Sequence, residues 1–127
     1  ARAWWMREFW MGIMWWWKNG ENKIEYFGVK YEYEGQIFTF YPDYLVQLKD
    51  GRLGIFETKD AGDRDGKTYT KVKAESLQKY FAGTKNKKLF GGIAIKKGSD
   101  WLINQEKNYD WGKVERGDWG DWEKLDF

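Results

Sequence analysis

YPDYLVQLKDGRLGIFETK, residues 41–59, sets two apolar runs on either side of a short polar centre. Tyr44–Leu48 and Leu53–Phe56 each suit a strand. Between them, Lys49-Asp50-Gly51 suits a three-residue hairpin loop, a type I turn followed by a left-handed residue that glycine adopts without strain. In that register Leu48 faces Arg52, and Asp43 stands across from Glu57. Strand side chains alternate in direction, so Lys59 shares the face of Glu57 and Asp43. Cross-strand neighbours have Cβ atoms about 4.5–5.5 Å apart. Two carboxylates at that separation repel unless a cation lies between them, and a hard divalent ion meets that need. A two-residue loop would slip the pairing by one and separate the acids.

Charges at strand ends also read as a solvated rim with a surface salt bridge, and the acid-x-Lys spacing recurs at Glu21-Asn22-Lys23 and Asp65-Gly66-Lys67. Three features favour a site at 43–59. The chain's only proline directly precedes Asp43, the Glu57-Thr58-Lys59 triplet ends an otherwise apolar strand, and a basic segment follows at once. A divalent ion polarises a phosphoryl oxygen and lowers the pKa of a bound water, while an ammonium orients that water or offsets developing charge. Those parts suit phosphodiester hydrolysis.

Composition bounds the chemistry. The 127 residues fit a single domain, 1–127. There is no cysteine and no histidine, which excludes disulfides, zinc fingers and Ser-His or Cys-His triads. A metal must then be held by oxygen, which favours Mg²⁺, Mn²⁺ or Ca²⁺. Net charge is only +2, yet residues 64–97 carry 10 Lys/Arg against 2 Asp/Glu. That third is either a basic face or a lysine-rich solvated surface. No signal peptide is visible, and the apolar run Trp4–Trp17 is too short and too charged to span a membrane. The expectation is an intracellular, cytoplasmic protein. Six of the ten tryptophans fall within Trp4–Trp17. They read as core, or as a surface facing a larger protein or a homodimer partner.

Along the chain, residues 3–11 suit a short helix ended by Gly12, and Ile13–Trp17 a strand closed by the turn Lys18-Asn19-Gly20. Lys23–Glu34 alternates as a half-buried strand, and Gln36–Tyr41 returns as a second. DAGDRDGK after Lys59 reads as a loop. Thr70–Phe81 reads as a helix with Thr70 as N-cap and Gly83 as its stop. Leu89–Ile95 is short and continuously apolar, as in a strand buried on both faces. Trp101–Ile103 suits a further strand, and the tail at most a helical turn near Trp119–Leu125. The class is α/β or mixed α+β, a mixed central sheet with helix cover.

The hairpin resembles the PD-(D/E)xK nuclease motif, with Pro42-Asp43 and Glu57-Thr58-Lys59 in its positions. The series WWWKNG, YFGVKYEYEG, FYPDYLVQLKDGRLGIFETK, TKVKAESLQKY, LFGGIAI and DWEKL is similar to the C-terminal endonuclease domain of type III restriction enzyme Res subunits and related DEAD/DEAH helicase-like proteins. The resemblance covers most of the chain, which carries no P-loop. It implies a restriction-endonuclease-like sheet and a Mg²⁺- or Mn²⁺-dependent endonuclease acting on double-stranded DNA beside a helicase or translocase region. It implies metal binding by Asp43, Glu57 and the Thr58 carbonyl, with Lys59 as the catalytic lysine. Glu8 is the candidate for an acid supplied by the first helix, with an exposed helix charge as the alternative. Lys71 and Gln78, seven residues apart on one helix face, could approach phosphates. Lys67, Lys73, Lys85, Lys87 and Lys88 would add non-specific phosphate contacts. Two other functions fit the same residues: a non-catalytic DNA-binding module, and a protein-interaction domain using the Trp-rich N-terminal surface.

Overall fold

Leu48 N–H donates to the Arg52 carbonyl at 2.8 Å, and Gly51 N–H donates to the Leu48 carbonyl at 3.1 Å. Gly51 takes φ +96°, so the three-residue loop forms as its residue types direct. The structure is a computed structural model that describes residues 12–19, 27–59 and 66–125. The helix expected at 3–11, with Glu8, Trp4, Trp5 and Trp10, lies outside the described residues, as do Gly20, the start of the Lys23–Glu34 segment and residues 60–65.

The described strands are β1 (Ile13–Lys18), β2 (Val29–Tyr33), β3 (Gln36–Phe40), β4 (Tyr44–Leu48), β5 (Leu53–Lys59), β6 (Leu89–Lys97), β7 (Asp100–Asn104) and β8 (Trp122–Lys124). The helices are α1 (Gly66–Gly83) and α2 (Trp111–Glu115). Six strands form one sheet in the order β1-β4-β5-β6-β7-β8. Its pairings are antiparallel except β5 with β6, where α1 lies between the strands in sequence. The fold is therefore α+β with a mixed central sheet. β2 and β3 stand apart as a two-stranded sheet, which the alternating sequence alone does not separate from the main one.

β6 is central because its glycines let neighbouring backbones approach. A Cβ on Gly91 would lie 1.9 Å from the Ile55 carbonyl oxygen, and one on Gly92 2.0 Å from that of Asn104. Both glycines also take positive φ, +144° and +154°. No other residue type fits either place.

Strand alternation sorts the core. Ile55 and Leu45 pack with Leu77 of α1 and with Val29 and Phe40 of the small sheet. Phe56, Val46 and Leu48 face the other way, toward Ile13, Trp101, Ile103 and Leu125. Ile93 and Ile95 meet Ala74, Tyr109, Val114 and Trp122. On α1, buried Thr70, Ala74 and Leu77 recur at helical spacing, which turns that face to the sheet.

Two expectations are corrected. α1 begins at Gly66, so Thr70 is a buried residue within the helix and not its N-cap. The tail's helix is α2 at 111–115, while Trp122–Lys124 forms β8 by pairing with β7. Tertiary pairing overrides weak local preference in that Gly- and Trp-rich tail. Among the described residues, no helix is long and apolar enough to cross a membrane.

Candidate active site

The β4–β5 pairing runs Tyr44↔Phe56, Leu45↔Ile55, Val46↔Gly54 and Gln47↔Leu53, the register that the three-residue loop requires. One step further along it, Asp43 comes level with Glu57. The ladder stops at Tyr44, because Pro42 cannot donate to it and Asp43 bends out of the strand. Pro42 is itself fully buried, which anchors the bend. The Asp43 carboxylate turns toward β5, and its Oδ2 accepts from Thr58 N–H at 2.9 Å and Thr58 Oγ1 at 2.8 Å. Thr58 thereby fixes the position of the acid. The N–H and C=O of one strand residue point to the same side, so the Thr58 carbonyl looks the same way.

Glu57 shares the strand face of Ile55 and is only 6 % exposed beneath α1. Burial pushes its carboxyl up to about 7, and the neighbouring Asp43 charge adds to the rise. Lys73 and Lys59 oppose it through their positive charge. Glu57 Oε2 lies 3.6 Å from Lys73 Nζ. Glu57 Oε1 is buried and meets no hydrogen-bond donor among the described residues. A buried carboxylate oxygen without a donor, beside a second carboxylate, is stable with a proton on the pair or a cation between them.

No family model, curated protein or solved structure matches this chain.

The residues present fit a hard cation in donor chemistry. Glu57 Oε1 meets no donor among the described residues, and Asp43 is a second carboxylate close enough to share a proton with Glu57. No cluster of three or more acidic side chains occurs among those residues, so backbone carbonyl and water would complete the shell. Lys59, two residues beyond Glu57, is half-buried on the same strand face and forms no salt bridge among the described residues.

The other expected residues divide by position. Lys67 falls in the first turn of α1, with its side chain outside the described residues. Lys71 is held by Glu75 at 3.0 Å and by the Tyr109 carbonyl at 3.2 Å. Gln78 Nε2 donates to the Gly91 carbonyl at 2.9 Å, which ties α1 to β6. Lys85, Lys87 and Lys88 precede Leu89, which pairs with Leu53, whereas Lys59 pairs with Ile95. Six strand steps separate those pairs, about 20 Å at the usual rise. These three lysines are therefore at the far end of the hairpin from Asp43 and Glu57. A groove of ≈ 670 Å³ between the small sheet and α1, lined in part by Tyr31, Ile37, Val72 and Tyr80, does not include the acid pair.

Sequence reading placed Lys73 among general phosphate contacts and did not join it to Glu57. Its signal was positional: Lys73 precedes Ala74, the small buried residue through which α1 meets the sheet. Phe40 was also missed as a support. Its ring lies 5.6 Å from Lys73 Nζ, within cation–π range.

Proposed function

We propose that this domain is a divalent-metal-dependent DNA endonuclease that hydrolyses phosphodiester bonds, the nuclease module of a restriction- or helicase-type protein. The observation that carries the reading is the acid pair itself: Glu57 Oε1 is buried without a donor next to Asp43, with Lys59 two residues on along the same strand face. The α+β fold with a mixed sheet and the PD…ExK-like spacing support a restriction-endonuclease-like assignment.

Asp43 and Glu57 would hold Mg²⁺ or Mn²⁺, with the Thr58 carbonyl as a third oxygen. The bound ion supplies Lewis acidity at a phosphoryl oxygen and a more acidic water. Thr58 holds Asp43 in place by two hydrogen bonds, so that carboxylate needs little reorganisation on binding. The Lys59 ammonium orients the attacking water and offsets the negative charge that builds on the phosphoryl oxygens. The water gives up a proton as its oxygen bonds to phosphorus, the bond to the leaving oxygen breaks, and that oxygen takes up a proton in its place. Lysines remote from the pair would contribute salt-dependent affinity for double-stranded DNA.

Supercoiled plasmid incubated with the domain and Mg²⁺ or Mn²⁺ tests the reading. Nicking is expected with wild type, and its loss with Lys59→Ala and Asp43→Asn. No nicking by wild type at any protein concentration, or nicking that persists in Lys59→Ala, contradicts it. Duplex binding that ignores both divalent ions and Asp43→Asn would instead mark a non-catalytic DNA-binding module.

A further inference from the structure

Lys73 reaches Glu57 from a different element than the rest of the site. It sits on α1, one residue before Ala74, and meets Glu57 near the end of β5 that also carries Lys59. Its side chain is 25 % exposed, against 8 % for the Glu57 side chain it meets. The contact is loose, 3.6 Å from Nζ to Oε2, longer than a charge-assisted hydrogen bond of about 2.7–2.9 Å. The ammonium also lies over the face of Phe40, a ring buried at the end of β3. Lys73 therefore has two attractive neighbours, one anionic and one aromatic, and a path to solvent. Lys71 and Lys113, by contrast, are held at 3.0–3.1 Å by Glu75 and Asp121.

We propose that Lys73 is the resident counter-ion of the acid pair: it holds Glu57 in the metal-free protein, competes with a divalent cation for that carboxylate, and once displaced is free to meet a DNA phosphate. The inference rests on reading Asp43 and Glu57 as a metal site, and it assigns Lys73 a positioning role distinct from that of Lys59. A fixed positive charge beside a dication site weakens the dication. A flexible lysine with an alternative seat weakens it only modestly, because it can swing away.

Calorimetric titration of the whole domain with Mn²⁺ tests this. Lys73→Met is expected to bind Mn²⁺ roughly three- to tenfold more tightly than wild type. Lys73→Arg keeps the charge and should stay near wild type, and Asp43→Asn should lose most affinity. Folded Lys73→Met with unchanged or weaker Mn²⁺ affinity overturns the proposal. NMR of the wild-type protein gives a readout independent of any variant's folding. The Lys73 ε-methylene signal, shifted by the Phe40 ring, should move as Ca²⁺ is added, and a fixed signal while Ca²⁺ binds overturns the proposal. If wild type binds neither ion, the metal-site reading fails and this inference fails with it. If wild type binds both and only the Lys73 results fail, the metal site stands without its counter-ion.

Discussion

Two consecutive hairpins, β2–β3 and β4–β5, meet opposite fates. The first turns through Glu34 and Gly35, both at positive φ (51° and 78°), and stands as an isolated pair of strands. Val29 and Phe40 are buried and Tyr31 stacks on Phe38, while Ile37 is 65 % exposed. The second turns through Gly51, lies inside the six-stranded sheet, and is buried on both faces. A strictly alternating strand has only one face to bury. A strand that is apolar throughout must be flanked on both sides, and charges at its ends then lie at the margin of the core. The central hairpin can therefore carry an acid at 6 % exposure, where charge is costly and a cation is attractive.

The widest contrast concerns packing. Phe56 is fully buried, and Phe56→Ala should cost about 3–5 kcal/mol. Phe38 is 40 % exposed, and Phe38→Ala should stay within about 1 kcal/mol. Urea titrations of the two variants give both numbers, and equal losses would break the comparison.

The next effect is that of pH. Glu57 titrates near 7 when folded against an ordinary 4.5, so between those values the folded chain holds a proton that the unfolded chain has released. Glu57's contribution to stability is therefore fullest below pH 4.5, falls as pH rises, and has dropped by up to ~3 kcal/mol by the time pH passes 7. Urea midpoints in chelator across that window should show the decline, and Glu57→Gln should flatten it. A decline that survives Glu57→Gln would place its origin in another group.

A smaller effect separates the turns. Gly35→Ala and Gly51→Ala each force alanine into positive φ, at about 1–2 kcal/mol. Only the second loop sets the register beneath Asp43 and Glu57. Mn²⁺ affinity should fall in Gly51→Ala and hold in Gly35→Ala, as titration of both would show.

Much of this hairpin was legible in sequence because its loop is chemically specific. Asp50-Gly51 after Leu48 fixes the loop length, the loop fixes the register, and the register brings Asp43 level with Glu57. Leu89–Ile95 was legible too, since a short, continuous apolar run suits a strand buried on both faces. The tail was not. Trp122–Lys124 becomes a strand because β7 offers it a partner, a fact absent from its own residues. The start of α1 was misplaced for a related reason: Gly66 is a poor helix former and ends a Gly- and Asp-rich run that reads as a loop. Within the site, the Asp43–Glu57 pair followed from strand geometry, but the Lys73 contact depends on how α1 packs across the sheet, and sequence spacing does not encode that angle.

The most direct test of the central claim, that the hairpin register builds a divalent-cation site, is a crystal structure grown with Mn²⁺ and read by anomalous scattering. A peak is expected between Asp43 and Glu57, at roughly 2–2.6 Å from an oxygen of each. Saturating Mn²⁺ with no peak there, and Glu57 still paired with Lys73, would contradict it.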